Sequence, residues 1–286
     1  MFSKSIKVSA IAFITLMATL SGCHTEKKQE PIHFLTYNIR FENPHDGVNA
    51  WLNRKDKVAA LIGFYDVEIA CLQEVLYSQL IDLEQRLPHM SWVGIGRDDG
   101  HREGEFVPIL YNNQIFKLIN SGWFWLSETP DSPSLGWDAA CKRVVTWVHI
   151  KHLANERELF VFNTHFDHVG EVARIESSRL IMAKIQEIAH GYPTIIAGDF
   201  NGTPNDAHVK AMTQEYADSY LVSEQPPYGP IGTWNDFDYN SPLDERIDYL
   251  FVNESVRVLK YGVLTDSEDG RFPSDHLPVY AKILIE

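Results

Sequence analysis

The chain has 286 residues, 44% of them apolar, 12% aromatic and 22% charged. That balance excludes a disordered, collagenous or coiled-coil chain and a multispan membrane protein, and leaves a soluble globular domain with a large core. Against 39 acidic residues stand 25 basic ones, a formal charge of −14, so no whole-protein field draws the chain to nucleic acid or to an anionic membrane, and a polyanionic substrate must be held by local groups or a metal.

At the N-terminus Lys4 and Lys7 precede an apolar run from Val8 to Leu20, closed by Ser21 and Gly22. This reads as a secretory signal, too short for a bilayer span of ~20 apolar residues. Leu20-Ser21-Gly22-Cys23 resembles the bacterial lipobox, which implies a signal peptide over residues 1–22, lipidation of Cys23 and residence in the bacterial cell envelope, anchored on the periplasmic or outer face. Removing residues 1–22, which carry two lysines and no acid, takes the charge to −16. Residues 23–32 are polar and serve as a tether, and one domain follows over 33–286. Cys71 and Cys141 sit in apolar, strand-like runs, where free buried thiols are commoner than a bridge.

Period and length place the elements in chain order. The pattern predicts strands at His33–Phe41 and Val67–Leu72, separated by a helix at Asn53–Phe64 and followed by one at Ser78–Leu87. Further strands are predicted at Phe106–Tyr111, Phe116–Leu126, Arg143–His149 and Leu159–Asn163. A long helix at Glu171–Ala189 has an apolar stripe of Ile175, Leu180, Ile181, Ile185 and Ile188. Then come a strand at Thr194–Ala197, a helix at Asp206–Met212 and strands at Ile247–Val252 and Val279–Leu284. Many strands and few helices in mixed order predict two packed sheets with helices outside.

Within one to three residues of a strand end, a group that binds metal or moves protons recurs: Asn38, Glu74, His165 with Asp167, Asp199 with Asn201, Asp248, and Asp275 with His276. Any one of these is an ordinary turn or cap residue. Their repetition at strand ends points to one sandwich edge carrying oxygen donors for a hard cation such as Mg²⁺ and imidazoles for proton transfer. No Cys-x-x-Cys, Gly-rich phosphate loop or Gly-x-Ser-x-Gly elbow competes.

Thr36-Tyr37-Asn38-Ile39-Arg40, Leu72-Gln73-Glu74-Val75, Asn163-Thr164-His165-Phe166-Asp167-His168, Gly198-Asp199-Phe200-Asn201, Arg246-Ile247-Asp248-Tyr249 and Ser274-Asp275-His276-Leu277-Pro278 resemble, in order, the motifs of the endonuclease/exonuclease/phosphatase superfamily. The resemblance implies a four-layer α/β/β/α sandwich of two packed mixed, mainly antiparallel sheets, and divalent-metal-dependent phosphoester hydrolysis with Mg²⁺, or Mn²⁺ in its place. By motif, Glu74 is the principal metal ligand with Asn38 beside it, and Asp199 and Asn201 orient the attacking water and the phosphate. His165 and His276 bracket the phosphorus, Asp248 orients His276, and Asp275 supports the metal or His276. On looser spacing, Glu105 partners the first His with Asp167 in support, and Arg143 binds phosphate.

Substrate is not fixed by fold. Outside Lys27-Lys28 and Lys142-Arg143 the basic residues are scattered among acids, so a small phosphoester fits better than a polynucleotide. The alternatives are a secreted nuclease, a sphingomyelinase-like phospholipase or a non-catalytic surface lipoprotein. No obligate protein partner is indicated, and the membrane is reached only through the anchor. Two aromatic clusters, His45 to Trp51 with Arg54, and Trp123, Trp125 and Trp137, are candidates for the pocket wall, with a core role as the competing reading.

Overall fold

The computed structural model describes residues 1–2 and 30–286, so the leader from residue 3, Cys23 and most of the expected tether lie outside the described residues. In chain order the elements are β1 (Ile32–Asn38), α1 (Trp51–Phe64), β2 (Ile69–Gln73), α2 (Tyr77–Arg86), β3 (Met90–Val93), β4 (Ile109–Asn112), β5 (Phe116–Trp125), β6 (Val144–His152), β7 (Glu158–His165), α3 (Glu171–Ala189), β8 (Thr194–Asp199), α4 (Ala207–Met212), β9 (Ala217–Asp218), α5 (Ser219–Val222), β10 (Asp248–Val252), β11 (Val256–Val263) and β12 (Val279–Ile285).

Alternation along the strands decides the layering, because successive side chains point to opposite faces of a sheet. Phe34, Ile69, Cys71 and Ile283 face inward and meet Val148, Val161, Ile195 and Leu250 of the other sheet. Their neighbours Leu35, Ala70 and Leu72 point out, onto Val58 and Ile62 of α1 and Leu80 and Leu83 of α2. On the opposite side Phe160, Phe162, Ile196 and Phe251 cover Ile181 and Ile185 of α3 and Val209 and Met212 of α4. The result is the expected α/β/β/α sandwich, each fully buried Phe, Ile or Leu contributing ~1.5–3 kcal/mol.

Both sheets are six-stranded, in the orders β11-β12-β1-β2-β4-β3 and β5-β6-β7-β8-β10-β9. Each has one parallel pair at its centre, β1 with β2 and β7 with β8, and antiparallel neighbours on both sides. Parallel pairing requires a crossover, which α1 and α3 supply. The carboxyl ends of β1, β2, β7 and β8 and the starts of β10 and β12 consequently share one edge, and Asp248 stands opposite Asp199 in register. A buried polar clasp spans the sheets just below this edge. Asn163 Nδ2 donates to the carbonyls of Leu72 and Pro108, both at 2.8 Å, and Gln73 Nε2 donates to Asn163 Oδ1 at 2.7 Å.

Several predicted boundaries shift for physical reasons. The strand expected from Phe106 begins at Ile109, because Pro108 has no N–H for the ladder, and Phe106 makes only an isolated bridge to Val75. The strand expected from Arg143 starts at Val144 and runs to His152. That expected from Ile247 starts at Asp248. Helix α1 starts at Trp51, and Asp206 lies just before α4. β3, β9, β11 and α5 were not predicted. In α3 the buried face is smaller than the expected stripe, consisting of Ile181 and Ile185 with Ala173, Ser177, Ser178 and Ala189. Cys71 and Cys141 are both free thiols.

Candidate active site

The shared edge opens into a cavity of about 640 Å³ whose wall includes Glu74, Glu105, Arg143, His165, Asp199, Asn201, Asp275 and His276. Asn38 and Asp248 lie beneath it, fully buried. The topology thus brings together every site residue expected from sequence within the described chain. Left-handed backbone turns three segments at the strand ends: Arg40, Glu74 and Asn201 have φ of 58°, 59° and 47°. Such conformations are uncommon for non-glycine residues and cluster at functional sites.

Asp199 is the hub. Its Oδ1 accepts from the Asn201 backbone N–H at 2.9 Å and its Oδ2 from Asn38 Nδ2 at 3.0 Å. His165 Nε2 and His276 Nε2 stand 3.5 and 3.8 Å from the same Oδ2. Burial, reinforced by the Asp248 charge, pushes the Asp199 carboxyl up to about 7, the range suited to a general base near neutral pH.

The pKa values of the two imidazoles are pushed in opposite directions. Burial acts against an imidazolium at His276, yet Asp248 Oδ2, 2.8 Å from Nδ1, together with Asp199 and Asp275, holds its pKa well above the usual value. His165 is held well below, by burial first and then by Arg143 and Arg97. Asn201 Nδ2 donates to His165 Nε2 at 3.0 Å, which assigns the ring as the neutral Nδ1–H tautomer.

Arg143 is almost fully buried, and its Nε and Nη1 have no hydrogen-bond partner. Its Nη2 donates to His168 Nδ1 at 3.1 Å, while Asp167 and Glu105 stand 3.6 and 4.0 Å away. Among the described residues these two nitrogens face carboxylates at ion-pair range without a hydrogen bond, Nε that of Asp167 and Nη1 that of Glu105, so Arg143 is a buried cation in the cavity wall, a group suited to holding an anion. Asp167 is committed elsewhere. Burial acts to raise its pKa, but the backbone N–H groups of Gly170, Ala140, Val169 and Cys141 overcome this and hold it at about 2. Glu105 accepts from Arg97 Nη1 at 2.7 Å and lies 3.8 Å from His165 Nδ1.

On the other side Glu74 Oε1 accepts from Asn38 Nδ2 at 3.1 Å. Glu74 and Asp275 flank Arg40 at 3.9 and 3.8 Å. Burial and the Glu74 charge raise the Asp275 pKa against the pull of His276 and Arg40. A cation beside the two carboxylates would relieve the burial and repulsion acting on Asp275, and their oxygen donors fit a hard divalent ion. Asp199, Asp248 and His276 also offer ligand atoms within 4.8 Å of one another, but Asp248 Oδ2 and His276 Nδ1 already engage each other at 2.8 Å beneath the cavity, whereas Glu74 and Asp275 line it, which makes these two the better match. Asp275 therefore belongs to the cation side, and Asp248 alone hydrogen-bonds the His276 ring.

The expected aromatic wall is not there. Trp125 is buried with Ile95, Val107 and Val144, its Nε1 donating to the Arg97 carbonyl; Trp123 is exposed on β5, an edge strand. Arg54 donates to the carbonyls of Asn49, Ile39, Pro273 and Arg40 and so clamps the loops behind the site. Arg97, Trp234, Asp236 and Glu245, which do line the cavity, were missed because they lie in loops without period.

Comparison with known proteins bears on the whole of this edge, since the model of the Endonuclease/Exonuclease/phosphatase family matches residues 35–276. The chain belongs to that family. An endonuclease/exonuclease/phosphatase family protein from Bacteroides thetaiotaomicron is 36% identical with a TM-score of 0.88, over 91% of this chain and 99% of that one. A mannosyl-6-phosphatase of Bacteroides thetaiotaomicron VPI-5482 is 38% identical with a TM-score of 0.86, over 89% of this chain and 100% of that one. A probable RNA exonuclease of Schizosaccharomyces pombe is 25% identical over 203 residues, 66% of this chain but only 40% of that protein. Family membership accounts for the assembled edge and makes the chain a relative of both phosphatases and nucleases.

Proposed function

We propose that the protein is a divalent-metal-dependent phosphomonoesterase acting on a small phosphorylated molecule, such as a sugar phosphate. The observation that carries this reading is a cavity whose cations, Arg40, Arg97 and Arg143, are each set against carboxylates at the same edge, Glu74, Asp275 and Glu105. That supplies positive donors for one phosphate and no basic track for a chain of them. The likeness to a mannosyl-6-phosphatase supports the same choice.

Glu74 and Asp275, with Asn38 beside them, would hold Mg²⁺ or Mn²⁺. A cation there neutralises non-bridging charge and polarises the phosphoryl group. The Arg143 guanidinium, at the cavity wall, would donate to the non-bridging oxygens. Asp199 takes the proton of the attacking water, oriented by the Asn201 amide, and His276, charged and fixed by Asp248, donates from Nε2 to the oxygen on which charge develops. Each such preorganised donor is worth ~3 kcal/mol of barrier. Lipid anchorage at Cys23 in a bacterial envelope is part of the proposal, and mass spectrometry of the N-terminus tests it.

The test of the function is a turnover screen of the purified protein with Mg²⁺ or Mn²⁺ on hexose phosphates, nucleotides, inositol phosphates, RNA, DNA and sphingomyelin. Hexose phosphates are expected to be cleaved fastest, with weak dependence on salt. RNA or DNA cleaved orders of magnitude faster, with a steep fall between 50 and 200 mM salt, would establish the nuclease reading instead.

A further inference from the structure

Part of the cavity wall comes from residues outside the six motifs named above. Trp234 and Asp236 come from the loop between α5 and β10, and Glu245 from just before β10; all three line the cavity. Trp234 is 37% exposed, leaving part of its ring open to a ligand. Asp236 and Glu245 are exposed, and neither carboxylate has a side-chain ion-pair or hydrogen-bond partner among the described residues. These groups have chemistry opposite to that of Arg143.

The segment is wired to the catalytic edge. Trp234 pairs with His276 in an antiparallel bridge. The backbone N–H groups of Asn235 and Asp236 donate to the Asp275 carbonyl at 2.8 and 3.1 Å, and that of Trp234 donates to the Glu245 carbonyl at 3.3 Å. Asp236, Phe237 and Leu243 take left-handed backbone with φ of 52°, 59° and 52°. A Cβ on Gly232 would lie 2.3 Å from the Leu243 carbonyl carbon, so glycine is required at that crossing. A loop held this tightly presents its side chains preorganised.

We propose that Trp234, Asp236 and Glu245 form the leaving-group half of the site, and that they accept an uncharged polyhydroxylated alcohol, a sugar bearing one phosphate. The proposal rests on the phosphoesterase reading above and names its specificity device. Sugar hydroxyls are donors that match unpaired carboxylates, and the apolar face of a pyranose matches an open indole ring. A second phosphate, or the next phosphate of a polynucleotide, would meet Asp236 and Glu245 as like charges, so the loop also selects against polyanions.

The experiment compares kcat/KM on mannose 6-phosphate, fructose 1,6-bisphosphate and p-nitrophenyl phosphate, whose leaving group carries no hydroxyl. For the Asp236→Asn/Glu245→Gln double variant, the mannose 6-phosphate value is expected to fall about 10- to 100-fold while p-nitrophenyl phosphate changes less than about threefold, and the bisphosphate gains relative to the monophosphate. Trp234→Ala is expected to raise KM for mannose 6-phosphate about tenfold with kcat little changed. Equal losses on all three substrates would overturn the proposal, because the loop would then merely support Asp275 and His276. An undiminished rate on mannose 6-phosphate would overturn it as well. Wild-type protein inactive on every phosphomonoester would sink the underlying phosphoesterase reading, a result distinct from either.

Discussion

Replacing Arg143 by Met separates the cost of a functional charge from its use. The guanidinium is almost fully buried, makes one hydrogen bond among the described residues, to His168, and leaves Nε and Nη1 at ion-pair range of Asp167 and Glu105 without a hydrogen bond. Each unsatisfied buried donor costs ~1–3 kcal/mol, against ~1 kcal/mol gained from the one bond. Burial, and after it the neighbouring Arg97, lower its pKa despite the pull of Glu105 and Asp167, so the surroundings as a whole disfavour the charge. Its removal orphans neither acid, since Asp167 keeps its backbone N–H donors and Glu105 keeps Arg97. Met has a similar length and suits the site. The expectation is a stability within ~1 kcal/mol of wild type or higher, together with a 10²- to 10³-fold loss in kcat/KM from one missing transition-state donor. Urea melts monitored by Trp fluorescence and initial rates on mannose 6-phosphate measure the two. A loss of more than ~2 kcal/mol with near-normal turnover would show that Arg143 is a structural ion pair, and the reasoning would fail.

Three further outcomes follow from the geometry. Glu74→Gln should weaken Mg²⁺ or Mn²⁺ binding about 100-fold by calorimetry and remove turnover, with the melting temperature in EDTA nearly unchanged; wild-type affinity would exclude Glu74 as the main ligand. Asn163→Leu should cost about 1–3 kcal/mol in denaturant melts, because the Leu72 and Pro108 carbonyls and Gln73 Nε2 each lose a hydrogen bond between the sheets, although Pro108 keeps the Leu72 N–H and Gln73 keeps Thr36 and Cys71; a change below ~0.5 kcal/mol would show the clasp to be dispensable. His208, whose Nε2 donates to the Phe200 carbonyl, is lowered to about 4, chiefly by burial. Protons therefore favour the unfolded chain, and this contribution is complete above pH ~6.5, falling by ~2 kcal/mol at pH 5. His208→Gln should flatten that part of the stability profile between pH 6.5 and 4, and an unchanged slope would rule the residue out.

The candidate site was legible because each member sits near the end of a short apolar run, where the chain must leave the sheet and where polar side chains stand at the rim. Glu74, His165 and Asp199 are of this kind. The sandwich could be inferred from strand count, but β11 was passed over: Val256 and Val258 alternate with Arg257, then the register shifts between Val258 and Lys260 and the period is lost. Trp123 and Trp125 stand two apart and so share one face of β5; Trp125 takes the core role there, with Ile95, Val107 and Val144, while Trp123 is exposed, and periodicity cannot tell a core patch from a pocket wall. Trp234 and Arg97 reach the cavity through loop conformations, left-handed in part, that composition does not encode. Charge pairing is likewise invisible in sequence: Asp46 and Arg40 are six positions apart, whereas Arg246 and Asp218, a buried bidentate pair, are 28 apart.

β1 enters the sheet at Ile32 and delivers Asn38 to the rim of the cavity six residues later, ~20 Å away at ~3.3 Å per residue. Residues 30 and 31 therefore lie at the end of the sandwich opposite the mouth. Under the anchorage proposed at Cys23, a mooring on that side would leave the opening facing the surrounding medium, toward molecules that diffuse past.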